Sequence, residues 1–134
     1  MSDVNNTVMN PEEISEIKPI TLRFKDTDQV YTLEFNRATV VFAEQRGFAL
    51  NPMNGHDVIM DKPMSVLEDL FYYSFQMHHR GMSKVLTDKI LYEDLGGLSS
   101  AMIERLISLH AKAYGSLISG DEDKPKNPNI AVEL

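Results

Sequence analysis

The sequence predicts an α+β fold, mainly α, with an N-terminal β-hairpin, about four helices and mobile termini. Two runs that alternate apolar and polar residues, 20–24 and 30–35, flank the polar cluster 25–29, a pattern typical of a hairpin. Farther along the chain, apolar residues recur at helical spacing and are interrupted by glycine and proline, which indicates helices joined by turns and loops.

The 134 residues fit a single domain with two polar ends. Residues 1–17 are acidic, lack apolar periodicity and predict a mobile N-terminal segment. Residues 18–119 carry the strand-like and helical patterns and predict one α+β globular domain. Residues 120–134 open on an acidic, proline-bearing stretch, so we expect a polar C-terminal tail.

Charge and composition narrow the class of function. The 20 acidic residues outnumber the 13 basic ones, and a net charge of −7 repels the phosphates of nucleic acid. The absence of cysteine excludes disulfides and thiolate metal sites. Because no apolar run reaches the roughly 18–20 residues that span a bilayer, and no signal peptide is recognisable, we expect a soluble intracellular protein.

Capping signals bound the first two helices. Asn36 is a candidate N-cap of the first helix, and Gly47 is a candidate for the left-handed residue that ends it. Ser65 and Glu68 have the S-x-x-E spacing of a capping box, which predicts a second helix from there to about Arg80. Since that helix is apolar around most of its circumference, we expect it to be the central helix of the core.

Two further helices are predicted downstream. The apolar positions of residues 84–95 indicate the third helix, which Gly96 and Gly97 end. Ser99 or Ser100 caps the fourth helix, which carries His110 on its apolar face.

The histidines are the first residues to consider for catalysis or metal binding. Periodicity places Phe71, Phe75 and His78 on the buried side of the second helix and His79 on its polar stripe. Adjacent helical residues point about 100° apart, so one metal ion cannot easily bind both His78 and His79. With no metalloprotease or nucleotide-binding motif, we interpret the histidines as structural, and we expect no catalytic residue, metal or cofactor. A site formed by His78 and His110 is the alternative.

Three methionines lie in the polar loop between the first two helices, where a core role is hard to assign. Thioether side chains adapt to irregular partners, so we interpret this loop as an apolar groove for protein binding, rimmed by the polar stripe of the second helix. The alternative is a disordered connector beside a solvated stripe. The candidate partner-binding residues are Met53, Met60, Met64, Tyr72, Gln76 and His79.

Several segments resemble the small tail assembly chaperones of long-tailed bacteriophages and prophages. The resemblance extends over roughly residues 20–134, and none of its motifs is catalytic. The segments are LEFNR (33–37), AEQRGF (43–48), DLFYYSFQMHH (69–79), GGL (96–98), RLISL (105–109) and NPNIAVEL (127–134).

The resemblance implies a non-enzymatic, siphovirus-type assembly chaperone, produced in the host cytoplasm and absent from the mature virion. Such a chaperone binds the tape measure protein, keeps it soluble and promotes assembly of the tail tube protein around it. Composition favours neither a nucleic-acid nor a membrane partner, and a homo-oligomer is left open. The alternatives are a small regulatory or inhibitor module that occupies a partner's groove, and a metalloenzyme that uses His78 and His110.

Overall fold

The computed structural model describes residues 17–50, 63–115, 126–131 and 133–134. These residues form an antiparallel β-hairpin followed by four helices, so the predicted α+β, mainly α fold is confirmed. The predicted mobile N-terminal segment lies almost wholly outside the described residues, as does the first part of the predicted tail. The described tail residues are exposed and include a turn in which the Asn129 N–H donates to Asn127 Oδ1 at 2.9 Å.

The hairpin joins β1 (Ile20–Phe24) to β2 (Gln29–Leu33). The strands pair with Ile20 opposite Leu33, and Leu33 is fully buried against the helices. The turn is closed by the Asp28 N–H, which donates to the Phe24 carbonyl at 2.7 Å, while Asp28 adopts a φ of 60°. Aspartate tolerates this left-handed conformation better than most residues, so the polar cluster predicted to be a turn can form one.

Helix α1 spans Arg37–Gln45 and has the predicted caps at both ends. Asn36 Oδ1 accepts a first-turn backbone N–H at 2.8 Å, which satisfies one of the donors that a helix start leaves free. At the other end Gly47 has a φ of 95°, and the Phe48 N–H donates to the Ala43 carbonyl at 3.0 Å. This closure turns Phe48 back into the core.

Helix α2 spans Pro63–Ser74 and begins before the predicted capping box. Ser65 lies inside the helix, so the predicted N-terminus at Ser65 and Glu68 is wrong. Proline suits the first turn because its missing N–H has no helical partner there. The Glu68 carboxylate instead accepts a hydrogen bond from Lys84 Nζ at 3.2 Å.

The predicted end of α2 at Arg80 is also wrong, because regular helix stops at Ser74. Ser74 Oγ donates to the Phe71 carbonyl at 2.6 Å, and the Phe75 N–H donates to the Tyr72 carbonyl at 3.2 Å. This change from i−4 to i−3 bonding tightens the last turn and ends the helix. Residues 75–83 then follow a series of turns.

The third and fourth predicted helices are confirmed. Helix α3 (Lys84–Lys89) continues as a π-helical turn (Ile90–Asp94), and helix α4 spans Ser100–Gly115 in the described part of the chain. Between them Gly96 and Gly97 have φ values of 71° and 106°, which explains the stop that the sequence predicted. Every described helix is too short or too polar to cross a bilayer.

One hydrophobic core joins the hairpin to all the described helices. The rings of Phe71 and Phe75 are 5.0 Å apart in an edge-to-face arrangement, and both side chains are fully buried. The predicted burial of Phe71 and Phe75 is therefore confirmed, although Phe75 lies just after the end of α2. The other core residues with no exposed surface are Leu33, Ala43, Leu70 and Leu106.

We expect Phe71→Ala to reduce the free energy of unfolding by about 3–5 kcal/mol, because the substitution leaves a cavity in a closed core. Urea denaturation of the parent and the variant measures the difference. Val85→Ala is the control, since Val85 is 81% exposed and its truncation should change stability by no more than about 0.5 kcal/mol. A Phe71→Ala midpoint equal to that of the parent would contradict the assignment of Phe71 to the core.

Candidate functional site

Three hydrogen bonds attach the hairpin to the turns that follow α2. The Glu34 N–H donates to the Ser74 carbonyl at 2.9 Å, and Glu34 Oε1 lies 2.8 Å from His78 Nε2. The Thr32 N–H donates to His79 Nε2 at 2.9 Å, so this imidazole is neutral with its proton on Nδ1. Burial lowers the pKa of His79, and the charge of His78 lowers it further, which favours the same neutral form.

These bonds reverse the predicted orientations of three side chains. His78 is exposed, although the helical pattern placed it on the buried side. His79 packs inward with its ring centroid 5.1 Å from that of Tyr31, and Gln76 is only 8% exposed. The prediction failed because it extended helical periodicity past Ser74, where the helix has ended.

Gln76 braces the turns after α2. Its Nε2 donates to the Met82 carbonyl at 3.0 Å, and its Oε1 accepts the Gly81 N–H at 3.1 Å. Gly81 has a φ of 86°, a conformation that side-chain-bearing residues rarely adopt. The buried amide and the glycine together fix the path of the segment that carries Met77 and Arg80.

A groove lies between α1 and these turns, and we call it the α1 groove. Its first compartment, about 600 Å³, is lined by Asn36, Ala38, Thr39, Phe42, Arg46, Tyr72, Gln76, Met77, Arg80, Gly81, Met82 and Ser83. Its second compartment, about 460 Å³, is lined by Ile17, Glu34, Phe35, Asn36, Arg37, Ala38, Met77, Leu109, Lys112 and Ala113. The two compartments adjoin, because both are lined by Asn36, Ala38 and Met77.

The first compartment has an apolar floor of aromatic and thioether side chains. Phe42, Tyr72, Met77 and Met82 are half-buried, so each keeps surface available in the groove. The Arg46 guanidinium lies 3.7 Å from the centroid of the Phe42 ring, which places a cation at the edge of this floor. Such a surface suits the apolar face of a partner that also carries polar groups at its edges.

The structure separates the predicted partner-binding residues. Tyr72 and Gln76 line the α1 groove, whereas His79 lies against the hairpin. Met64 is 68% exposed in the first turn of α2 and is not among the lining residues. Two further predicted residues lie outside the described part of the chain: Met53 and Met60.

The sequence analysis missed the contribution of α1 to the groove. Val40 and Ala43 of this helix face the core, while Phe42 and Ala38 line the groove on another side. An aromatic residue away from the core face, followed four positions later by Arg46, was the available signal. This spacing indicates a half-exposed surface on α1, but it cannot show which segment of the chain forms the other wall of the groove.

The two histidines of the metalloenzyme alternative have different surroundings. His78 is bonded to Glu34, whereas the ring centroid of His110 lies 5.2 Å from that of Phe35 and 5.9 Å from that of Phe48. Within the described residues, no three His, Asp or Glu side chains are grouped so that they could hold a metal ion. The described geometry therefore offers no support for a site that uses both histidines.

His110 is a buried aromatic residue of the core. Only 1% of its surface is exposed, and burial lowers the pKa of His110 to about 4. Near neutral pH the ring is therefore uncharged.

We expect His110 to make stability depend on pH. Between its ordinary pKa, about 6.5, and its folded value, about 4, the unfolded chain binds a proton that the folded chain does not. The free energy of unfolding should thus fall as the pH drops through this window, by at most roughly 3 kcal/mol. Urea denaturation at several pH values measures this dependence.

His110→Leu should remove that part of the pH dependence. Leu109→Ala is the control, because Leu109 directly precedes His110 in the sequence, is also buried and has no titratable group. The control should lower the free energy of unfolding by a similar amount at each pH, so that this free energy varies with pH as it does in the parent. If the free energy of unfolding of His110→Leu varies with pH in parallel with that of the parent, His110 is not the source of the pH dependence.

Comparison with known proteins places the chain in a family. Neither the curated proteins nor the solved structures include a significant match. Residues 8–134 match the model of a family described as a domain of unknown function, DUF5055. Because this match covers nearly the whole sequence, the chain belongs to the DUF5055 family.

Proposed function

We propose that this chain is a phage tail assembly chaperone that binds the tape measure protein, keeps it soluble and promotes assembly of the tail tube protein around it. In this role the chain works without catalysis in the host cytoplasm and is absent from the mature virion. The observation that carries the proposal is the α1 groove, whose apolar floor lies between polar walls.

The chemistry of the floor suits a helical client. A helix has already satisfied its own backbone hydrogen bonds, so a chaperone needs to cover only its apolar side chains. Phe42 and Tyr72 supply flat apolar surface, and Met77 and Met82 supply flexible side chains that can adjust to different apolar faces. One groove can therefore bind successive apolar segments of a long helical protein.

The walls of the groove are fixed before a client binds. The turns are held by the two hydrogen bonds of Gln76, and α1 is held by its caps. Tyr73, behind the floor, packs with its ring centroid 4.7 Å from that of Tyr72 and 6.1 Å from that of Phe42. A preformed site loses less conformational entropy on binding, which favours affinity.

The segments that resemble tail assembly chaperones supply much of the groove. LEFNR provides Asn36 and Arg37, AEQRGF provides Arg46, and DLFYYSFQMHH provides Tyr72 and Met77. The resemblance and the geometry thus concern the same surface, which supports reading that surface as the client site.

Filling the groove should weaken client binding without unfolding the protein. Ala38 is exposed, lies on a helix and lines both compartments, so Ala38→Tyr places a ring in the groove and leaves the core unchanged. Co-expression with a tape measure fragment, followed by sedimentation, measures how much of the fragment stays soluble. We expect the parent to keep the fragment soluble and Ala38→Tyr to bind it at least tenfold more weakly.

Ala101→Tyr is the matched control, because Ala101 is an exposed helical alanine that does not line the groove. Both variants should melt close to the parent. Failure of the parent to bind or solubilise tape measure fragments would contradict the proposed function. Undiminished binding by Ala38→Tyr would move the client site away from the α1 groove.

A regulatory or inhibitor module is the second candidate, and one surface favours it. Val85 and Leu86 of α3, Tyr92 of the π-helical turn and Leu95 just after that turn are exposed, and they could insert into a partner's groove. Val85→Ser should then weaken partner binding while Ala38→Tyr leaves it intact. The chaperone proposal predicts the opposite pattern.

A further inference from the structure

The α1 groove is basic although the protein is acidic. Four of its lining residues are cationic, namely Arg37, Arg46, Arg80 and Lys112, and one is anionic, Glu34. In the whole chain, by contrast, 20 acidic residues stand against 13 basic ones. The groove therefore has the opposite sign of charge from the protein as a whole.

The cations of the groove are available to a partner. Arg37, Arg46, Arg80 and Lys112 are all exposed, and none forms an ion pair with another described residue. Although the Arg46 guanidinium lies over Phe42, a stacked guanidinium keeps its N–H donors at the edge of its plane, where they can reach a carboxylate.

The single carboxylate of the groove does little to neutralise these cations. Glu34 Oε1 is bonded to His78 Nε2 at 2.8 Å. Among the described residues outside the groove, ion pairs join Lys84 to Asp88 at 3.0 Å and Lys89 to Asp94 at 3.7 Å. The groove thus differs from the rest of the described surface in the sign of its net charge.

We infer that the segment bound in the α1 groove is an amphipathic helix whose apolar face is flanked by Asp or Glu. The apolar floor accepts the face, and cations in both compartments lie where flanking carboxylates would pass. The inference rests on the proposed function for the helical nature of the client and adds its charge. Complementary charges of this kind speed association and select among partners that share the same apolar face.

Two synthetic helices test the charge preference directly. They have equal length and the same leucine face, and they differ only in carrying Glu or Lys at the flanking positions. Fluorescence anisotropy measures both dissociation constants at low and at high salt. We expect the Glu helix to bind at least tenfold more tightly at low salt, with the difference shrinking as salt rises. Equal affinities, or tighter binding of the Lys helix, would overturn the inference.

Double variants with reversed charges show which surface causes the preference for the Glu helix. Arg80→Glu combined with Lys112→Glu changes one cation in each compartment and should abolish the preference for the Glu helix. Arg23→Glu combined with Lys25→Glu makes the same change of net charge on the exposed hairpin and should preserve it. If the groove pair fails to fold, Arg80→Gln with Lys112→Gln should at least halve the difference in affinity. A preference that both groove pairs retain would overturn the assignment.

Two further outcomes separate this inference from the proposed function and from another class of ligand. If the parent solubilises a tape measure fragment but shows no preference between the helices, the charge inference fails and the chaperone proposal stands. If the Glu helix binds but no tape measure fragment does, the proposed function fails and the groove keeps its inferred preference. Displacement of the Glu helix by a short oligonucleotide at similar concentration would overturn the inference in favour of phosphate recognition.

Discussion

The end of α2 at Ser74 is the constraint on which the rest of the structure depends. Ser74 is fully buried, its Oγ donates to the Phe71 carbonyl, and its own carbonyl accepts the Glu34 N–H. One residue therefore ends the central helix and attaches the chain that leaves β2. Because the chain turns here, the segment that carries Met77 passes beside α1 and forms the second wall of the groove.

The elements that could be predicted are those whose determinants lie close together in the sequence. Asn36 caps a helix through an N–H three residues away, and Gly47 ends the same helix through its own backbone conformation. The path of the chain after Ser74 depends in addition on contacts with the hairpin. The bond between Thr32 and His79 joins residues 47 positions apart, and periodicity along one segment contains no information about it.

The chemistry of the candidate site could be predicted better than its location. Sequence analysis predicted a thioether-bearing, apolar loop with Tyr72 and Gln76 on its polar rim. Both of these residues line the α1 groove, but its thioethers come from Met77 and Met82. Sequence analysis could not indicate that α1 forms the opposite wall. Nor could net charge reveal the basic groove, because Arg37 and Lys112 are brought together only by the fold.

An apolar groove kept open in water carries a risk of self-association, and the charges around this groove act against it. Two copies that approach groove to groove would bring the arginines and Lys112 of both grooves together, and like charges at an interface disfavour contact. In the proposed role, a client that carries carboxylates beside its apolar face would remove that repulsion as it buries the floor. The same cations would then disfavour self-association and favour the client, while Phe42 and Met77 stay partly exposed in its absence.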